Sequence, residues 1–429
     1  MNGPINIFWL RRDLRFYDNT ALIKASAQPY PVLFLFIFDN AITDELPIQD
    51  ARISFIYKRL KELHLHLQQR GGGLLLKKGN VLSVWESLLK EYSIHNVFVN
   101  TDFEPYGIQR DRNVKELLEK EGIIFKSFPD HLIFVPGEVV KADGLPYTIF
   151  TPFKNKWLER YRQEKYSIQM KEPEFQVTDT EFLFPELADL GFDYSPIKPK
   201  PLEFVNIKEY DLKRDYPALE ATTHSGIYLR FGTVSIRELV MKAEENPVFL
   251  SELIWREFFI QILYFFPHVV TSSFKPRYDR IRWNNNPDLF NLWCQGKTGY
   301  PLVDAGMRQL NQTGTMHNRV RMVTASFLCK HLLIDWRWGE AYFAQKLLDF
   351  ELASNNGNWQ WAAGTGCDAA PYFRIFNPAA QAKKFDPKDH YILKWVPELN
   401  KKDYPKPIVN HQSATQLTLE RYREGLNDK

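Results

Sequence analysis

Residues 1 to about 130 alternate short apolar runs with longer amphipathic ones, and nothing else in the chain limits its fold so strongly. The runs 5–10, 32–38, 74–78, 96–100 and 125–128 read as strands. Three of them are nearly unbroken apolar stretches, as parallel strands covered on both faces tend to be. Between them, 53–69 and 81–92 have helical spacing. Ile53, Ile56, Tyr57, Leu60, Leu63 and Leu67 share one face of the first. Strand–helix–strand alternation joins parallel neighbours, so an α/β domain with a doubly wound parallel sheet is expected. Ligands of such sheets sit beyond the carboxyl ends of the strands, where Asn100, Thr101, Asp102, Phe103 and Glu104 fall. Gly71, Gly72 and Gly73 follow a helix and precede a strand, which reads as a turn and not as a phosphate loop.

Residues 131–205 differ: Pro and charge are frequent and periodicity is poor, most of all over 171–200. They read as an interdomain connector. From 206 to 429 the spacing is helical, with helices expected over 235–244, 247–264, 302–312, 317–335 and 340–353. The expected organisation is an α/β domain 1–130, a connector 131–205 and an all-α domain 206–429. With 44% hydrophobic and 25% charged residues, the composition is that of a soluble globular protein. A net charge of +3 announces no nucleic-acid partner by itself. Locally, Lys275, Arg277, Arg280 and Arg282 face only Asp279, with Tyr278 and Trp283 interleaved. Such a patch suits either a phosphate backbone or a solvated loop. Cys294, Cys329 and Cys367 are odd in number and lack CxxC spacing, which argues against disulfides or zinc and fits a reducing compartment. The apolar run 31–38 is too short to span a bilayer, and no secretory leader pattern opens the chain. A cytoplasmic monomer is expected, with no metal and no membrane partner.

Tryptophan is concentrated in one place. Eight of eleven lie within or just beyond 252–381. Beside them stand Glu252, Arg256, Asn318, Arg319, Arg321, Met322, Asp349, Asn355 and Asn356. Indole is an awkward core filler because its N–H needs a partner. Composition alone leaves packing and function equally open. Residue order decides. The runs Glu252-Leu-Ile-Trp-Arg-Glu-Phe258, Thr298-Gly-Tyr-Pro-Leu-Val-Asp-Ala305 and Met316-His-Asn-Arg-Val-Arg-Met322 resemble the photolyase/cryptochrome family. So do Asp335-Trp-Arg337, Asn355-Asn-Gly-Asn-Trp-Gln-Trp361, Phe373-Arg-Ile-Phe-Asn-Pro378 and the opening Phe8-Trp-Leu-Arg-Arg-Asp-Leu-Arg15. The motifs occur in order over nearly the whole chain. Within the family it looks closest to class I cyclobutane pyrimidine dimer photolyases.

That resemblance implies bound FAD and light-driven repair of cyclobutane pyrimidine dimers in DNA. The alternative within the family is a cryptochrome-type photoreceptor without repair. The segment aligned with Tyr210, Thr222, Thr223, His224, Ser225 and Gly226 wraps the FAD diphosphate in the family. This chain departs from the usual Thr-Ser-Arg/Lys-Leu-Ser-Pro there. Read alone, the Thr pair is a helix cap. Asp349 and Glu351 align with acids at the flavin edge and ribose, Arg321 with the partner of the first acid, and Asn355 with the residue facing flavin N5. Read alone, Asn355-Asn356-Gly357 suits a helix C-cap. Glu252, Trp255, Asn318 and Met322 align around an extruded dimer. Arg256, Arg319, Arg374, Gln381 and Lys383 are expected at the DNA backbone or rim. Histidines that serve (6-4) repair are absent at Asn318 and Met322. Trp359, Trp336 and Trp283 align with the family's electron-transfer chain. Arg52, Asp102, Glu104 and Tyr106 resemble an antenna site for deazaflavin or FMN. Gly107 stands where folate binders carry glutamate.

Overall fold

The computed structural model describes residues 3–164, 168, 170–204 and 207–427. The five expected strands form one parallel sheet: β1 (Ile5–Leu10), β2 (Val32–Asp39), β3 (Leu74–Gly79), β4 (Ile94–Asn100) and β5 (Ile124–Phe128). Their order is β3-β2-β1-β4-β5. The winding reverses between β1 and β4, so their carboxyl ends flank the topological switch point where ligands of such sheets bind. β1 and β2 are buried at every position, which explains their unbroken apolar runs. Helices Ala51–Gln68 and Val81–Glu91 lie where their periodicity places them. Two helices, Thr20–Ser26 and Pro105–Lys120, complete the crossovers.

The chain divides into two compact units. The first holds 1–135, 161–200 and 225–242; the second holds 136–160, 201–224 and 243–429. The stretch read as a connector is thus shared between them, and it contains the helix Phe150–Gln163. In the first unit, buried Arg15 pairs with Asp130 at 2.6 Å, and Arg237 bridges Asp18 at 2.7 Å and Asp130 at 2.8 Å. Burial would raise the Asp130 carboxyl, but Arg15 and Arg237 hold it well below the usual range.

The second unit is helical around one large core that includes Trp293, Leu302, Val320, Phe327, Trp336, Phe343 and Trp359. Helices Pro247–Phe265 and Pro301–Thr313 match expectation. The helix expected over 317–335 ends sooner, as Asn318–Lys330, and Leu333 takes a left-handed φ of 49°. The helix expected over 340–353 is two helices, Trp336–Lys346 and Leu352–Ala363. Asp349 and Glu351 lie in the break. The C-cap alternative for residues 355–357 also fails, because they sit inside the second of these helices. Gly357 is there for space: a Cβ would lie 2.1 Å from the Phe259 ring.

Candidate active site

Three helices of the second unit carry the candidate residues. Pro247–Phe265 is capped by Asn246, whose side chain accepts from Val248 and Phe249. Asn318–Lys330 is capped by His317 through Nδ1, which accepts from the Arg319 N–H at 3.2 Å. Leu352–Ala363 follows the break that presents the two acids.

Four ion pairs tie the candidates together. Arg321 Nη2 donates to both Asp349 oxygens, at 3.1 and 2.9 Å, and its Nε donates to the Met316 carbonyl at 2.8 Å. Arg256 pairs with Glu351 at 2.8 Å, both side chains nearly buried. A residue expected at the DNA and one expected at the cofactor therefore meet each other. Glu252 pairs with Arg214, and Arg319 reaches Asp215 at 2.8 Å. Arg319 also lies over Phe385, 4.3 Å from the ring centre, and passes Met322 Sδ at 3.9 Å. Arg214 and Asp215 are residues that motif reading missed. Their signal was faint: Arg214 falls one helical turn after Tyr210.

Trp255 is half-buried and stacks on Phe150, with centroids 3.6 Å apart and planes 8° apart. Asn318 is exposed and Met322 half-buried on the same helix. Gln381 and Lys383 lie on Pro378–Phe385, the helix that supplies Phe385. Exposed Arg374 accepts a hydrogen bond from buried Lys330 at its carbonyl, 3.1 Å away.

Asn355 is almost buried, and its Nδ2 donates to the Glu340 carbonyl at 3.1 Å and carboxylate at 2.8 Å. Both amide protons are thereby used on one side, which leaves Oδ1 as an acceptor on the other. Burial raises the Glu340 carboxyl, partly opposed by this bond. Tyr210 packs edge-on to Phe249 at 5.1 Å, with the Arg214 guanidinium 5.7 Å over its ring. Thr223 is buried and accepts from the Glu203 N–H at 3.1 Å, with half-buried Thr222 before it and His224 after it at φ 53°. Ser225 and Gly226 open the short helix Ser225–Arg230 of the first unit, and the helix expected over 235–244 follows it as Ile236–Ala243.

The three candidate relay tryptophans lie on one seam. Trp359 is 2% exposed and Trp336 1%, while Trp283 is half-buried. Gly339, one turn after Trp336, abuts the Trp359 indole so closely that a Cβ would sit 2.1 Å from it. The chain next to Trp283 is stitched to the approach to Trp336: the Asn284 N–H donates to Leu333 O at 2.7 Å and the Asp335 N–H to Asn285 Oδ1 at 2.8 Å.

In the first unit, the β1 and β4 ends carry a dense charge cluster. Arg12 meets Asp102 at 3.5 Å and Glu104 at 3.0 Å, Arg230 meets Glu104 at 2.7 Å, and Arg110 meets Asp102 at 3.7 Å. Burial would raise the Asp102 carboxyl, but Arg12, Arg110 and Arg11 together hold it far below the usual range. Arg52 pairs with Asp50 at 2.6 Å. Tyr106 donates to Asp39.

Comparison with known proteins identifies the family. Residues 6–174 match DNA photolyase, and residues 249–403 match the FAD binding domain of DNA photolyase. The deoxyribodipyrimidine photo-lyase of Vibrio cholerae is 36% identical, over 98% of this chain and 99% of that protein. This chain belongs to the DNA photolyase family. It is a light-dependent DNA repair enzyme that works with FAD, and not a photoreceptor alone. The expected placement in class I is overturned. A bacterial class III photolyase from Agrobacterium tumefaciens superposes with a TM-score of 0.89 at 31% identity, covering 99% of this chain and 98% of that one. An archaeal photolyase from Sulfolobus tokodaii, solved with two FAD molecules, superposes with a TM-score of 0.86 at 35% identity, covering 98% of this chain and 99% of that one.

The donor set fits FAD. Asn355 presents a fixed amide oxygen, Arg321 and Asp349 form a half-exposed pair that retains hydrogen-bonding capacity, and Thr222 carries a hydroxyl.

The His317 cap has a consequence for stability. Burial lowers its imidazole to about 4, and burial with the neighbouring His411 lowers His331 to about 3. Both are neutral in the folded state, while unfolded histidine titrates near ~6.5. As pH falls from about 6.5 towards 4 the unfolded chain takes up protons that the folded chain refuses, so stability falls across that window. His317→Asn keeps a capping acceptor and removes one titration. The melting temperature of this variant should fall less steeply between pH 6.5 and 4.5, the difference amounting to about 1–3 kcal/mol. Parallel curves for parent and variant would contradict this.

Proposed function

We propose that the chain splits cyclobutane pyrimidine dimers in DNA, using light absorbed by reduced FAD held in the second unit. When bound, FAD supplies the excited electron and takes it back, with no net redox change. The residues bind, orient and exclude water. Arg321 and Asp349 hold the flavin edge, with Glu351, itself fixed by Arg256, beside the ribose. Asn355 Oδ1 accepts a hydrogen bond at flavin N5, its orientation set by Glu340. Tyr210, Thr222, Thr223 and His224 serve the diphosphate, and Ser225 and Gly226 continue that stretch of chain. On the lesion side, Trp255 offers an aromatic surface, Met322 a soft apolar contact, and Asn318 a donor and an acceptor. Glu252 is released from Arg214 as it engages the pyrimidine edge. Arg319, Arg374, Gln381 and Lys383 form the rim towards phosphates. Trp359, Trp336 and Trp283 carry electrons inward when FAD must be reduced. The observation that carries the reading is the tie between the helix of Glu252 and Trp255 and the helix of Asn318 and Met322: Glu252 pairs with Arg214 and Arg319 with the next residue, Asp215. The class of lesion follows from Asn318 and Met322, which cannot act as the proton donors that (6-4) repair uses.

The test is repair by the purified FAD-loaded protein. Illumination should restore thymines from a cyclobutane-dimer oligonucleotide and leave a (6-4) oligonucleotide unchanged. Repair in the dark, or of the (6-4) lesion, would reject the proposal.

The charge cluster at the β1 and β4 ends is the candidate antenna site, with Arg52, Asp102 and Glu104 around a deazaflavin or FMN. Gly107 supports excluding folate: a Cβ there would lie 2.5 Å from the Asp102 carboxylate. The protein should therefore return a flavin-type second chromophore when it is purified from its source, denatured and extracted. Recovery of a folate would reject this assignment.

A further inference from the structure

Trp336 begins its helix fully enclosed, and among the described residues its indole N–H has no acceptor. The Arg337 guanidinium lies over its ring, 4.7 Å from the ring centre. That guanidinium is fastened on three sides. Nε donates to the Thr271 carbonyl at 2.8 Å, Nη1 to the Asp335 oxygens at 3.2 and 3.1 Å, and Nη2 to Asp279 Oδ1 at 2.8 Å. Asp279 is held in turn by the Ser273 backbone N–H at 3.0 Å and hydroxyl at 2.8 Å. One cation and two carboxylates are thus anchored beside one indole. Packing does not require this: the ring is already enclosed by the apolar core.

We propose that Arg337 and Asp279 are positioning residues that set the lifetime of an oxidised Trp336, by fixing opposite charges at different distances from its ring. The proposal rests on the reading of Trp359, Trp336 and Trp283 as an electron-transfer chain. One electron passes from Trp336 to oxidised Trp359, restoring the latter and leaving Trp336 one electron short. One electron from Trp283 then restores Trp336. No proton moves in either step, because among the described residues the Trp336 N–H meets no base. The oxidised ring carries a full positive charge. A guanidinium against its face raises the energy of that state, and the carboxylates behind it lower it. The arrangement keeps Trp336 a relay: the charge passes on to Trp283 and does not settle.

The experiment uses the FAD-loaded protein with Trp283→Phe, so that the positive charge stops at Trp336 and returns through Trp359. The readout is the decay of tryptophan radical absorption after a laser flash. Arg337→Gln removes the cation and leaves two carboxylates, so it should lengthen the lifetime about three- to tenfold, the range for a screened unit charge this close. Asp279→Asn removes one carboxylate and keeps an oxygen for Ser273, so it should shorten the lifetime. Arg337→Lys keeps the charge and should stay near the parent. A damaged fold has no reason to act with opposite signs in the two variants. Equal directions, or unchanged lifetimes, would overturn the proposal. Trp336→Phe in the same background separates the two claims. If it leaves the radical signal as before, the electron-transfer chain itself is wrong. If it shortens the signal while the charge variants show no opposed effects, only the role of Arg337 and Asp279 falls.

Discussion

Replacing Trp255 by alanine should weaken binding to dimer-containing DNA roughly fivefold to a hundredfold, while binding to undamaged duplex changes far less. A flipped dimer is a broad, weakly polar surface that an indole covers well. Stacking on an aromatic side chain contributes roughly 1–3 kcal/mol per base. Undamaged duplex stays stacked, never meets Trp255, and depends on phosphate contacts such as Arg319. The structure adds a second effect of the same substitution. Trp255 lies flat on Phe150 at 3.6 Å and edge-on to Phe258 at 5.5 Å. Alanine would remove both of these ring contacts, with a loss of stability of about 2–4 kcal/mol. Trp255→Phe separates the two effects, since it keeps most of the packing and gives up part of the stacking area. Affinities for both DNAs, with melting temperature and FAD content as controls, decide the matter. Equal losses on the two DNAs for both variants would remove Trp255 from the lesion surface. Arg319→Ala should instead weaken both DNAs together and flatten the salt dependence. It also leaves Asp215 with its longer ion pair to Arg214, at 3.7 Å, so less of that negative charge is offset at the rim.

Trp283→Phe should cut photoreduction of oxidised FAD roughly tenfold or more, while repair with chemically reduced FAD stays near the parent. Phenylalanine keeps most of the volume and is much harder to oxidise. Trp283 is the half-buried member of the seam, whereas Trp336 and Trp359 are almost completely enclosed. An external reductant therefore meets the chain at Trp283. Without it the positive charge stays on enclosed rings and returns before it can be filled from solvent. The measurement is steady illumination with an added reductant, followed by absorption. Unchanged photoreduction would take Trp283 out of the path.

The parallel sheet was legible in the sequence because β1 and β2 are covered on both faces, and such strands must be apolar throughout. The family of the second unit was legible too, because its motifs stand in one fixed order along residues 252–378. Class was not legible: the placement in class I rested on motif resemblance, and the superposition on a class III photolyase overturned it. Helix limits around the acids were also hidden. Residues 340–353 keep an apolar periodicity through the break that holds Asp349 and Glu351, and periodicity does not register a backbone that leaves the helix between two segments packed on one core.

The sequence by itself determined which side chains are available: the indoles, the amides at Asn318 and Asn355, the acids at Asp349 and Glu351, and small residues at Gly339 and Gly357. Only the tertiary structure decided who pairs with whom. Arg256 and Glu351 are 95 positions apart and make one ion pair, and Arg214 faces Glu252 across 38. Charge pairing depends on distance in space, and helices from distant parts of the chain set that distance. The same holds for the tryptophans. Their order in the chain says nothing of contact. The contact of Gly339 with Trp359 and the bonds from Asn284 and Asn285 to the approach of Trp336 place them on one seam.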